Sequence, residues 1–465
     1  MQPLIREVRL SASLADLYGR YAAEPYSIFL DSARNAYEMG RFSFVMRQPF
    51  LRLRYKGGRG CWIWADGRIE NFTGPLWPEL KKRVAAYPVF QTQIPFVGGA
   101  VGYFAYDLAY EQESLPGASA ADRELADCSL GFYDSVVAYD HETERCFILA
   151  SGWPEETETR RNRRAEESLA AWEEACIACS PLPLLVRPQP VGPYRTNFKK
   201  TQYCRQLAKA IEYIYQGDIF QVNLSQRFTA PYEGDPFAVY RYLREINPAP
   251  FAAYLQLGEC VVASASPERF LKIEADNVET RPIKGTRPRG GTATEDSRLR
   301  RELLHSEKDQ AELVMIIDLM RNDLGKVCRF GSVKVPEVFC CEEYATVFHL
   351  VSTVQGRLRQ ECTAVDQLAA AFPPGSITGA PKVRAMEIID ELEPVRRNVY
   401  TGSIGYLSFC GKADWNVAIR SLVFQAQEAW FQVGGGIVAD SQPAAEYQET
   451  LDKAKALLWA LGYET

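Results

Sequence analysis

The chain has 465 residues, 47% of them hydrophobic and 24% charged, enough to bury a large core without disulfide or metal staples. A net charge of −6 and a pI near 5.5 exclude the basic footprint of a nucleic-acid binder. The start, Met1-Gln2-Pro3-Leu4-Ile5-Arg6-Glu7, lacks the apolar core of a signal peptide. No apolar run approaches the ~18 residues of a membrane span, so a soluble cytoplasmic protein is expected.

Residues 1–150 alternate short apolar runs with Gly and Pro. Phe42-Ser43-Phe44-Val45, Cys61-Trp62-Ile63-Trp64 and Ser135-Val136-Val137-Ala138-Tyr139 read as antiparallel strands. The charged stretch from Pro154 to Cys176 reads as a helix with a solvated face. Prolines 181, 183, 188, 190 and 193 then form an extended crossing. It divides the chain into an N-terminal region (1–180), the crossing (181–195) and a C-terminal domain (196–465).

Beyond the crossing, Tyr203, Leu207, Ile211 and Ile214 make an apolar stripe that stops at Gly217. Ser306 opens a helix that Gly325 ends, Pro381 begins one through Leu392, and Pro443 begins the last, to about Gly462. The fold class expected is α+β, with largely antiparallel sheets flanked by helices. Of the twelve cysteines only Cys176-Ile177-Ala178-Cys179 has ligand-like spacing. With three histidines and no second such pair, the thiols read as reduced rather than zinc-bound.

Chemistry concentrates in a few places. In Arg281-Pro282-Ile283-Lys284-Gly285-Thr286 a lysine stands between a rigid Pro-Ile step and a Gly-Thr pair offering N–H groups and a hydroxyl. That suits an amine held against a bound anion, although Pro-x-x-Gly also describes an ordinary turn. Asp309 and Glu312 share a helix face at i, i+3, as do Glu446 and Glu449. Each pair reads equally as a capping acid on a solvated face, but together they could bind Mg²⁺, which takes oxygen ligands. Gly434-Gly435-Gly436 either exposes consecutive N–H groups as a nest or loosens a strand end. Arg420, in an apolar strand pattern, calls for a partner such as a carboxylate; His349 reads as a core histidine or a ligand-facing group.

These residues, together with Gly217-Asp218-Ile219-Phe220-Gln221-Val222-Asn223-Leu224-Ser225, Ser266-Pro267-Glu268-Arg269-Phe270, Met320-Arg321-Asn322-Asp323, Gly379-Ala380-Pro381-Lys382 and Asp440-Ser441-Gln442-Pro443, resemble the chorismate-utilising enzymes, and within them the aminodeoxychorismate synthase branch. Anthranilate synthases of that family usually carry alanine at the position of Lys284. The resemblance implies a chorismate-binding C-terminal domain that aminates chorismate with Mg²⁺ as cofactor. Lys284 would be the nucleophile and Glu268 the acid. Glu312 and Glu449 would ligate the metal directly, with Asp309 and Glu446 acting through water. Gly285, Thr286, His349, Tyr400, Arg420, Gly434, Gly435 and Gly436 would hold the substrate. An N-terminal amino-acid pocket would involve Ser32, Pro250 and Phe251, although Leu30-Asp31-Ser32 has aspartate where tryptophan-regulated relatives usually have glutamate. No Gly-x-Cys-x-Gly nucleophile turn is present, so a separate glutamine amidotransferase subunit is implied as the source of ammonia.

Overall fold

The structure, a computed structural model, describes residues 2–33, 39–344 and 347–464. Two twelve-stranded sheets with antiparallel ladders form the centre. Helices flank them, and none in the described residues is long and apolar enough to cross a membrane.

Both sheets take strands from either side of the proline-rich crossing. In the first, Ile28–Asp31 lies between Phe42–Met46 and Phe251–Gln256, and the order continues through Val261–Ser266, Ser421–Gln425, Glu428–Ile437 and Gln221–Pro231. In the second, Gly99–Phe104 pairs with Ser403–Ser408, and the far end is built from Arg269–Glu274, Asn277–Arg281, Val347–Arg357 and Ile283–Pro288.

One apolar cluster joins facing sides of the sheets, including Ile28, Phe44, Leu255, Val101, Leu130 and Trp415. It continues to the helices Leu76–Ala85, Glu307–Gly325 and Ala364–Ala371. A second cluster fills the space between the first sheet and the helices Leu14–Gly19, Glu158–Ile177, Pro236–Ile246 and Pro443–Ala460. Helix starts follow capping chemistry: the Ser306 hydroxyl accepts from the Asp309 N–H, and the Thr157 hydroxyl from that of Arg160. That second cap is why the charged helix begins at Glu158 rather than Pro154.

Candidate active site

Ile283–Pro288, expected as a turn or an anion-holding loop, is an edge strand on Val347–Arg357. Lys284 pairs with Leu350 and Thr286 with His349, leaving Gly285 as a bulge at φ +69°. Any Cβ at Gly285 would lie 2.8 Å from Leu303 Cδ1 and 3.0 Å from Asp309 Cγ, so glycine is required for space as well as conformation. The bulge keeps Lys284 aimed across to the other sheet, where a Cβ on Gly436 would be only 3.4 Å from its Nζ.

Gly434, Gly435 and Gly436 do not form a nest. They are extended residues within Glu428–Ile437, paired with Ser225, Leu224 and Asn223. Their missing side chains leave room. A Cβ at Gly434 would lie 2.4 Å from the Leu224 carbonyl oxygen, and one at Gly435 would lie 3.3 Å from Glu446 Oε2 and 3.6 Å from Glu449 Oε1. The glycine strand therefore floors a cleft that holds both Lys284 and the C-terminal acidic pair.

Lys284 is half-buried, and desolvation pulls its pKa down from the ordinary lysine value. Glu312, Glu268 and Glu449 oppose that shift, while Lys453 reinforces it. Arg281 and Arg287, the arginines nearest to Lys284 in sequence, do not contribute to this shift. Arg281 is tied to Glu342 and Glu337, and Arg287 to Glu302 and Asp309.

Glu268 is only 5% exposed, and burial lifts its pKa to about 7. Hydrogen bonds from the Ser376 hydroxyl and the Ile283 N–H, with the nearby Lys284 charge, limit the rise. One cleft thus holds a lysine displaced toward neutrality and a carboxyl displaced toward protonation.

Asp309 and Glu312 project from the helix Glu307–Gly325, Glu446 and Glu449 from Pro443–Ala460. Burial raises the pKa of Glu312, with Asp309 and Glu446 among its acidic neighbours, and raises that of Glu446 beside Glu449. The two pairs therefore face each other. Asp309 is also held by Arg287 at 3.0 Å, Glu449 by Lys453 at 2.6 Å, and Glu446 accepts from the Ser441 hydroxyl at 2.7 Å. Among the described residues no three acidic, histidine or cysteine side chains close a metal site by themselves. The donor set nevertheless suits a hard cation such as Mg²⁺, which keeps several waters and needs few direct protein ligands.

Arg420 is not inside a strand. It occupies the bend before Ser421–Gln425 at φ +52°, half-buried, and among the described residues it has no acidic partner. Desolvation lowers its pKa, and Tyr400 opposes that. His349 lies within 2.9 Å of the Thr286 hydroxyl through Nδ1. Burial and the Arg420 charge hold its pKa down to about 4, so it is neutral at physiological pH. Tyr400 is buried beside Arg397, whose guanidinium is bound by Glu393 and the Asn223 carbonyl. A cation without an acid beside a neutral histidine and a bare glycine strand is a place for an anionic ligand.

Residues 28–459 match the family model for chorismate binding enzymes. The chain belongs to the chorismate-binding enzymes. It is 42% identical over 444 residues to aminodeoxychorismate synthase component 1 of Klebsiella aerogenes, covering 95% of this chain and 94% of that one. It is 45% identical over 440 residues to anthranilate synthase component 1 of Thermus thermophilus, covering 94% and 92%. The crystal structure of anthranilate synthase component I from Streptococcus pneumoniae TIGR4 superimposes with a TM-score of 0.77 at 33% identity, covering 89% of this chain and 91% of that one.

Away from the cleft, this chorismate-binding enzyme has a cavity of about 580 Å³ between the two sheets. Ser32, Pro250 and Phe251 line it together, with Arg41, Phe42 and Tyr406. The Ser32 hydroxyl donates to the Phe42 carbonyl at 2.8 Å. Asp31 accepts from Arg244 and Tyr240 at 2.5 and 2.9 Å, so its charge is already committed.

Three functional neighbours were missed from sequence. Lys453, the cation beside Lys284, was signalled only by its i+4 spacing from Glu449. Ser376, which holds Glu268, sits in a short 3₁₀ turn with no local pattern of its own. Gln221 is buried with its Nε2 only 2.3 Å from where a Gly436 Cβ would be, contact set wholly by strand register.

Proposed function

We propose that the chain is the chorismate-aminating component of an aminodeoxychorismate synthase, converting chorismate and ammonia to 4-amino-4-deoxychorismate on the route to p-aminobenzoate and folate. One observation carries this reading: Lys284, displaced toward its neutral form, and Glu268, displaced toward its protonated form, share one cleft. A lysine with an ordinary pKa near 10.4 is neutral in only about one molecule in 2,500 at pH 7. Desolvation raises that fraction, and Glu268 near 7 is matched to give up a proton.

In this mechanism the neutral Lys284 Nζ attacks ring C2. Both ring double bonds shift, the C4–oxygen bond breaks, and Glu268 protonates the departing hydroxyl, which leaves as water. Ammonia then adds at C4, the electrons return, and the C2–lysine bond breaks. The net change replaces the C4 hydroxyl by an amino group, with the enolpyruvyl ether kept. Arg420, Tyr400, Thr286 with His349, and the backbone at Gly285, Gly434, Gly435 and Gly436 hold the substrate's carboxylates and ring. Glu312 and Glu449 would hold Mg²⁺ directly, with Asp309 and Glu446 through water. When bound, the ion neutralises carboxylate charge on the substrate. Ammonia comes from a separate glutamine amidotransferase subunit, in keeping with the component names of the relatives.

A second reading, anthranilate formation, is favoured by the 45% identity to the Thermus enzyme. The lysine at 284 favours the first. Purified chain incubated with chorismate, Mg²⁺ and ammonium should yield a product that retains the enolpyruvyl group. Quenching without ammonia should leave an adduct of chorismate minus water on the peptide containing Lys284. Anthranilate with loss of pyruvate overturns the product assignment; absence of the adduct overturns the nucleophile.

A further inference from the structure

The Cys176-Ile177-Ala178-Cys179 motif has no part in the cleft. Cys146, Ile148 and Ala150 lie on one face of the strand Arg145–Ala150. The helix Glu158–Ile177 covers that face with Ala165, Leu169, Trp172 and Cys176, the i, i+4, i+7, i+11 stripe of a packed helix. Val8 pairs with Cys146 in the neighbouring strand, and three residues on the Ser11 N–H donates to the Cys176 carbonyl. Strand and helix thus bring residues 146 and 176 together from two directions, in one buried cluster where the two thiols are close enough to influence each other. Cys179 lies near but turns its Sγ to the Ser180 carbonyl at 3.9 Å. Among the described residues no three such ligands gather for a metal, so this is a dithiol and not a thiolate metal site.

A cavity of about 510 Å³ opens beside this pair, and Cys146 is part of its wall. Leu10 and Phe29 give it an apolar side, while Arg9, Glu144 and His141 give it polar edges. Its size falls in the ~300–1,000 Å³ range of small-molecule sites. Nothing in the chorismate reaction uses it.

We propose that Cys146 and Cys176 form a reversible dithiol–disulfide site, oxidised by a small organic disulfide that enters through this cavity. Cys146 attacks one sulfur of the disulfide, the S–S bond of that disulfide breaks, and the first small thiolate leaves with the Cys146 proton as a thiol. Cys176 then attacks the Cys146 sulfur, expelling the second small thiolate and forming the internal bond. The two thiolates leave as thiols with the two protein protons, so one disulfide is reduced as the protein dithiol is oxidised. A disulfide needs a Cβ separation of ~3.5–4.5 Å, which the contact of the helix Glu158–Ile177 with the strand Arg145–Ala150 has to supply.

The test uses the full chain, natively folded, with excess 2-hydroxyethyl disulfide. Free thiols are then alkylated and peptides are mapped by mass without reduction. Free thiols should fall from twelve to ten, with a single cross-link between the Cys146 and Cys176 peptides that dithiothreitol reverses. Cys179→Ser should leave the result unchanged, and Cys176→Ala should leave Cys146 as a mixed disulfide. No cross-link in the wild-type chain, a Cys176–Cys179 link instead, or earlier loss of other thiols overturns the proposal. Because the wild-type map decides, a variant that folds poorly leaves the answer intact.

Discussion

Two charged regions of this molecule are built on opposite principles. Around the cavity at Ser32 each charge has an opposite partner: Asp31 with Arg244, Arg41 with Asp140, and Arg269 between Asp414 and Glu279. In the Lys284 cleft, Arg420 has no acidic partner among the described residues, Glu268 is buried among neutral donors beside one lysine, and Glu312 is partly buried with Lys284 and Lys308 set against Asp309 and Glu446. The first arrangement is complete without a ligand. The second leaves desolvation uncompensated until a ligand supplies the missing charge, which marks a working site. Behind the cleft the complete kind returns, where Arg397 at 1% side-chain exposure meets Glu393 at 3%.

Removing the amine strikes the incomplete region hardest. Lys284→Ala should lower turnover by about 10³-fold or more, even at saturating ammonia, while calorimetry shows chorismate and Mg²⁺ still binding. A rate near wild type in that variant would erase the distinction at its centre.

Glu268→Gln should lower kcat by about 10²–10⁴-fold and remove the falling limb of the pH–rate profile near 7. It carries an opposite signature in stability. With its folded pKa raised from 4.5 to about 7, Glu268 binds its proton more tightly when folded. Its contribution is therefore intact below 4.5 and lost as pH rises through 7, a loss of about 3 kcal/mol. Relative to wild type, Glu268→Gln should gain stability in denaturant titrations at pH 8 and lose the gain at pH 4. A pH-independent difference would refute the raised pKa.

The completed pair behaves in reverse. Glu393→Ala should cost about 3–5 kcal/mol of stability by stranding Arg397, seen as a lowered urea midpoint. Arg420→Ala should leave that midpoint unchanged or higher, because Arg420 has no acidic partner among the described residues to lose, but should weaken chorismate binding by about 2 kcal/mol in KM. A large stability loss on removing Arg420 would show that a structural partner holds it after all.

Much of the local structure was legible in the residues because caps and periods are local signals. Ser306, Pro443 and the stripe from Tyr203 to Ile214 each announce a helix found within a few residues of its expected bounds. The paired carboxylates and the lysine motif were legible because spacing along a helix, or beside a glycine, is itself chemistry. Other features depend on register between distant strands, which no local pattern carries. The bulge at Gly285, the extended state of Gly434 to Gly436 and the bend at Arg420 were each misread for that reason. The cation that acts on Lys284 is set in the same way: Arg281 and Arg287 lie near it in sequence, but Lys453 is brought to it by the C-terminal helix.

The interleaving of the sheets bears on how the chain is made. While the ribosome is still adding residues, Ile28–Asp31 has Phe42–Met46 on one side and waits for Phe251–Gln256 on the other. Gly99–Phe104 waits still longer, for Ser403–Ser408. The nascent N-terminal half therefore emerges with open sheet edges, the state most prone to pair with another chain. Slow elongation through the middle of the message, or a stop codon before residue 403, should send this protein to chaperones and aggregates rather than to a smaller folded product.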